Sequence, residues 1–144
     1  MPAAAINNKN SVGYKFRSFD LSNLSAIVSA ARKGVKPKVF YDLAETIKMP
    51  EKHLASILNL SSRTISNHYD EEKTLAPIYS EHLLKLISLY EKGEILFGNI
   101  DEFNYWLKKP FWNKNTAPFD LMDTVGGVDL IITELEKLSQ GYPL

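Results

Sequence analysis

Residues 53–69, HLASILNLSSRTISNHY, decide how this chain folds. Two helices joined by a tight turn and crossing at a steep angle need particular residue types at particular offsets. Leu54 and Leu58 stand four apart and pack the first helix inward, and Ala55 is small where the two helices approach most closely. Asn59 falls at the turn position that requires a left-handed backbone. Glycine is commonest there, but Asn is the side chain that best tolerates it. Leu60 anchors the turn, Ser61 is placed to cap the second helix, and Ile65 points back to the core. The spacing predicts a helix-turn-helix.

Outward from this motif the apolar residues recur at helical spacing. Upstream, residues 21–34 (LSNLSAIVSAARKG) place Leu24, Ile27, Val28 and Ala31 on a helix closed by Gly34. Residues 38–47 put Phe40, Leu43, Ala44 and Ile47 on one face, and Pro50 opens the helix that leads into the motif. Downstream, after the polar break DEEKTLAP, residues 80–98 begin at Ser80 as expected N-cap. Together with Tyr79 just ahead, they carry Leu83, Leu86, Ile87 and Tyr90 on one stripe and Leu84 and Leu89 on a second, so this helix must be buried on more than one side. Asn99 with Glu102 forms a capping-box pattern for a helix that stops before Pro110. Thr124 caps a last helix with Val128, Ile131, Ile132, Leu135 and Leu138, closed by Gly141. With no alternating strand pattern anywhere, the expected class is all-α: a helix-turn-helix bundle followed by a small helical domain. The expected divisions are a poorly ordered leader over 1–20, the helix-turn-helix region over 21–76, and the second helical unit over 77–144.

The 144 residues, 44% of them hydrophobic, suffice for a real core. There is no cysteine, which excludes disulfides and thiolate zinc sites. No apolar run reaches membrane-span or signal-peptide length, so the expectation is a cytoplasmic protein with no membrane partner. The net charge of zero hides an asymmetry: residues 1–38 hold seven basic side chains against one acidic, a net of +6, leaving −6 for the remainder. A basic end on an acidic body suits two kinds of partner, although a solvated basic leader has the same composition.

In the motif's second helix, Ser62, Arg63, Thr64, Ser66, Asn67 and His68 project away from the core. Arg pairs with guanine in the major groove, Asn reads adenine bidentately, and hydroxyls near a helix N-terminus hold phosphates. These six are the candidate DNA-binding residues. Asp70, Glu71 and Glu72 oppose that role near a duplex, and Arg63 is the one fixed cation in the helix. Affinity per subunit is therefore modest, and a dimer on two half-sites, assisted by Arg32, Lys33, Lys36 and Lys38, raises it.

Enzymatic patterns are missing from the sequence. His53, His68 and His82 are scattered and form no metal motif. TVGGV lacks the spacing and the Lys-Ser/Thr of a phosphate loop. Asp120 and Asp123 read as helix-capping punctuation rather than paired catalytic carboxylates. No catalytic residue, metal or cofactor is expected.

Residues 96–141 resemble the C-terminal toxin-binding domain of the Xre/MbcA/ParS antitoxins. The resemblance rests on Phe97-Gly98 after a long helix, Trp106-Leu107 on a short one, Pro118 and DLMDT (120–124), Gly127 opening the last helix and Gly141 closing it. With the Xre-like helix-turn-helix upstream, it covers about residues 35–144. It departs from the family in the long leader, in Asn59 where a turn glycine is usual, and in the aromatic-rich FWNKNTAPF (111–119). The resemblance implies a type II antitoxin that binds a RES-domain, NAD-depleting toxin, forms a homodimer and represses its own operon at an operator DNA. An alternative is a helix-turn-helix regulator whose C-terminal half only dimerises or binds another ligand.

Tyr105, Trp106, Phe111, Trp112 and Phe119 concentrate aromatics in the region. Most belong to the core; about two, Trp112 first, face a partner. The family's antitoxin C-terminus lies against the toxin, so Tyr142, Pro143 and Leu144 are the candidate plug of its NAD pocket. The other reading of these three residues is an apolar clasp on the last helix of the chain itself.

Overall fold

The segment with two apolar stripes becomes the axis around which the rest is built. In a computed structural model that describes residues 9–110 and 115–141, the chain forms eight α-helices and one short 3-10 turn, with no strand among the described residues. The class is all-α, as the periodicity predicts. The helices are α1 (Val12–Lys15), α2 (Leu24–Lys33), α3 (Pro37–Thr46), α4 (Glu51–Ile57), α5 (Ser62–Asp70), α6 (Pro77–Phe97), α7 (Ile100–Leu107) and α8 (Val125–Ser139), with the 3-10 turn Pro118–Leu121 ahead of α8.

A helix that is apolar all round must be surrounded. Leu83, Leu84, Leu86, Ile87, Leu89 and Tyr90 are all fully buried, and α6 packs against α2 from the first half and α7 and α8 from the second. The helix-turn-helix cluster of α3, α4 and α5 stands on Phe40, Leu43, Ile47, Leu54, Leu58 and Ile65, which share one continuous core with α6. Lys85, 8% exposed, reaches from α6 to α8 and places its Nζ 2.8 Å from the Asp129 carboxylate.

Three expectations change in the folded chain. First, Ser80 is not an N-cap. The helix starts one turn earlier, with Pro77 in its first turn, where a missing N–H costs nothing. Ser80 is instead fully buried, its hydroxyl donating to Leu75 O (3.0 Å) and accepting from Val35 N (2.9 Å), so it staples the start of α6 to the end of α2. Second, α2 buries Ile27 and Ala31 but leaves Leu24, 60% exposed, and Val28 on its outer side; Asn23 caps it by accepting from Ala26 N (2.8 Å). Third, the chain from Ser11 onward is docked where poor order is expected. A four-residue helix is too short to stand alone, but Val12 and Phe16 of α1 are buried against α6, and Val12 N donates to Glu94 Oε1 at 2.8 Å. The anchor is a charged group brought from 82 residues away, which local composition does not display.

His82, buried on α6, hydrogen-bonds through Nε2 to the Met122 carbonyl at 2.8 Å, so the neutral ring carries its proton on Nε2. Burial holds the imidazole below its ordinary 6.5, against the upward pull of the Met122 bond, Asp123 and Glu81. A depressed folded-state value means that the unfolded chain binds the extra proton first. The stabilisation is complete above about 6.5 and is lost as pH falls through the folded value. Glu94 acts in the opposite sense: burial foremost, with Glu91, raises its carboxyl despite the Val12 N–H, so its share is present below 4.5 and lost as pH rises through the folded value. Urea midpoints are therefore expected to fall on acidification from about pH 7.5 to about pH 5.5, and His82→Gln, which keeps a donor, flattens that slope. An equally steep slope in the variant excludes His82 as its source.

Candidate nucleic-acid and partner interfaces

The turn between α4 and α5 has the backbone its sequence demands. Asn59 sits at φ 60°, and Leu60 N donates to Ala55 O at 3.0 Å across the turn. Ser61 accepts from Thr64 N at 3.0 Å, satisfying an orphan donor at the start of α5. Leu54, Ala55, Leu58 and Ile65 are buried as the spacing requires. The Asn59 side chain does something the motif does not predict: its Nδ2 donates to the Asp123 carbonyl at 3.0 Å, 64 residues away.

Packing Ile65 inward turns the polar face of α5 outward. Ser62, Arg63, Ser66 and Asn67 are exposed, while Thr64 and His68 are half-buried. Thr64 shares its hydroxyl with Ser61 (2.8 Å), and His68 Nδ1 donates to Thr64 O (2.9 Å), so the lone pair of the ring is on Nε2. Tyr69, edge-to-face on Tyr41 with centroids 5.7 Å apart, holds the end of α5 against α3. Arg63 forms no ion pair among the described residues, so its guanidinium is not committed elsewhere in the fold. The acidic run after α5 is partly offset, because Lys73 pairs with Glu71 at 3.2 Å. Val35 O accepts from Leu75 N at 2.8 Å, which sets the basic stretch at residues 32–38 beside the loop that follows α5. Within that stretch Arg32, Lys33 and Lys36 are exposed, and Lys38 is paired with Asp42 at 2.8 Å.

In the second half, Phe103 is fully buried among Tyr90, Phe97 and Trp106, with ring centroids 5.3 to 5.9 Å from its own. Trp106 and Phe119 pack on the core from its edge. Of the aromatics expected to divide between core and partner, Tyr105 is 63% exposed, with Lys109 Nζ 4.4 Å above its ring. Phe111, Trp112, Tyr142, Pro143 and Leu144 lie outside the described residues. Tyr105 is one of the five aromatics but not the one singled out for a partner, yet its exposure was legible: it follows Asp101 by four on the polar side of α7. An apolar groove of about 250 Å³ runs between the end of α6 and α8, lined by Lys92, Ile95, Leu96, Leu135, Glu136 and Ser139.

Between these elements the segment Leu121-Met122-Asp123 is pinned through three successive carbonyls. Leu121 O lies against Gly127, at a place where a Cβ would collide with it. Met122 O accepts from His82, and Asp123 O from Asn59. Thr124 then caps α8 by accepting from Gly127 N at 2.9 Å. Asp120 Oδ2 accepts from Ala117 N at 3.1 Å, so the carboxylate serves the turn, as expected of punctuation. Among the described residues no group of three or more His, Asp or Glu is placed to hold a metal ion, and no helix is long and apolar enough to cross a membrane.

Residues 26–88 match the family model described as the antitoxin Xre-like helix-turn-helix domain, and residues 92–141 match the antitoxin Xre/MbcA/ParS C-terminal toxin-binding domain. One match ends and the next begins within α6. No curated protein matches the chain.

Proposed function

Because the chain belongs to the Xre/MbcA/ParS antitoxins and carries both domains of a type II antitoxin, we propose that it neutralises a RES-domain, NAD-degrading toxin and represses its own operon. The observation that carries this reading is the succession of the two matched domains along the one helix α6, with an uncommitted polar face on α5. Arg63 and Asn67 read base edges, Ser62, Thr64 and Ser66 hold phosphates, and His68, whose Nδ1 donates to Thr64 O, offers Nε2 as an acceptor at the far end of the helix. The chain acts as a cytoplasmic homodimer, so that two α5 helices reach two half-sites, with Arg32, Lys33 and Lys36 adding phosphate contacts. Exposed apolar Leu24, Val28, Ile78 and Leu130 support self-association. Trp112, Tyr142, Pro143 and Leu144 engage the toxin, the last three occluding its active site, with Pro143 lowering the ordering cost.

Arg63→Ala is expected to weaken binding to the upstream promoter by roughly 10- to 100-fold, the worth of one bidentate base contact. Gel shifts at fixed salt measure it, and unchanged binding removes Arg63 from the contact surface. Neutralisation is tested by co-expression with the RES-domain protein of a neighbouring reading frame: the full chain restores growth, and deletion of Tyr142, Pro143 and Leu144 abolishes rescue while dimerisation and promoter binding persist. Failure of the full chain to rescue leaves a regulator whose second half only dimerises. Loss of all three properties on the deletion identifies the tail as a clasp.

A further inference from the structure

We propose that Asn59 is a positioning residue that couples the two halves, so that a partner on the toxin-binding domain changes the operator affinity of α5; this rests on the function proposed above. If the turn needed only its left-handed backbone, glycine would supply it without steric cost. Asn59 adds an amide, and that amide is spent on the Asp123 carbonyl at 3.0 Å, with a longer contact of 3.5 Å to Ile57 O.

Asp123 is not an arbitrary acceptor. It ends the segment whose Leu121 carbonyl packs against Gly127 at the start of α8 and whose Met122 carbonyl is hydrogen-bonded by His82 on α6. That segment lies inside the toxin-binding match at residues 92–141. It therefore joins the core helix, the last helix and the recognition turn. Ser61, the cap of α5, follows Asn59 by two residues, so a displacement at the turn is transmitted to the axis of α5. The Asn59 bond is exposed while the His82 bond is buried, which makes the former the one that opens when the segment is pulled. By linkage, whatever factor the partner imposes on operator binding, the operator imposes on partner binding.

The test uses the full chain, a duplex of the upstream promoter, and the RES-domain protein of the neighbouring reading frame. Operator Kd is measured with and without that protein. In the wild type the ratio of the two is expected to depart from one by about 5-fold or more, the lower end of typical coupling. In Asn59→Gly, which keeps the left-handed turn and loses the donor, it falls to within about 2-fold of one, while the thermal midpoint and the free-chain operator affinity stay near wild type. Asn59→Asp, which tolerates the same backbone and cannot donate, behaves like the glycine variant. A wild-type ratio of one, or a glycine variant that retains the full ratio, overturns the coupling and leaves the functional reading intact. A glycine variant that melts early and binds the operator poorly makes Asn59 a plain turn residue and also overturns it. A wild-type chain that binds neither operator nor RES-domain protein refutes the functional reading and the coupling together.

Discussion

Gly127→Ala is expected to lower the stability of the chain by about 3 kcal/mol, at the upper end of what one overpacked methyl costs. The added Cβ would fall on the Leu121 carbonyl, a backbone atom that no rotamer change can move aside. Relief requires the turn ahead of α8 to shift. The Met122 and Asp123 carbonyls move with it, and with them the bonds to His82 and Asn59. The adjacent residue is an internal control. A Cβ on Gly126 meets nothing within 4 Å, so Gly126→Ala is expected to be neutral or to stabilise by up to about 1 kcal/mol through helix propensity. Urea unfolding of the two variants side by side decides the matter: equal midpoints would mean that the Leu121–Gly127 approach contributes nothing.

Phe103→Ala is expected to cost about 3–5 kcal/mol, the range for truncating a fully buried aromatic ring. The ring lies on α6 at Gly93, where even one methyl would strike it, and is enclosed by Tyr90, Phe97 and Trp106. Few flexible side chains border the site, so the cavity left behind does not collapse readily. For a chain of this size the thermal midpoint should fall by on the order of 10 °C. The second consequence separates this variant from removal of the last three residues. Because α6 belongs to the cores of both halves, warming Phe103→Ala is expected to extinguish promoter binding and partner binding in one transition. Two separate transitions by circular dichroism would show that the halves melt independently.

The helix-turn-helix was legible because its determinants lie within a few residues of one another. Asn59 at the left-handed position, Ser61 at the cap and Ile65 on the inner face are choices that any chain crossing two helices so tightly must make, and each is in place. The polar face of α5 follows from the same arithmetic, since fixing Ile65 inward leaves Ser62, Arg63, Ser66 and Asn67 outside. The resemblance to the antitoxin family rested on Gly127 and DLMDT as well, but the reason those residues recur together was not visible. Only the tertiary structure places the Leu121 carbonyl over Gly127.

Other features were misread for the same reason. Ser80 has the chemistry of an N-cap, yet it lies at the junction of two helices far apart in sequence, and its hydroxyl serves Val35 and Leu75 instead. The stretch around Val12 looked unanchored because its anchor, Glu94, is on another helix. Period, caps and turn chemistry depend on neighbours within one or two helical turns, so the sequence by itself determined an all-helical chain, its helix-turn-helix and the types of side chain that the motif's second helix offers. Which side-chain donor meets which carbonyl across 40 or 64 residues depends on how the helices pack. That packing alone decided that Asn59 and His82 hold the same segment, and that the turn of the helix-turn-helix is tied through it to the half matched by the toxin-binding domain.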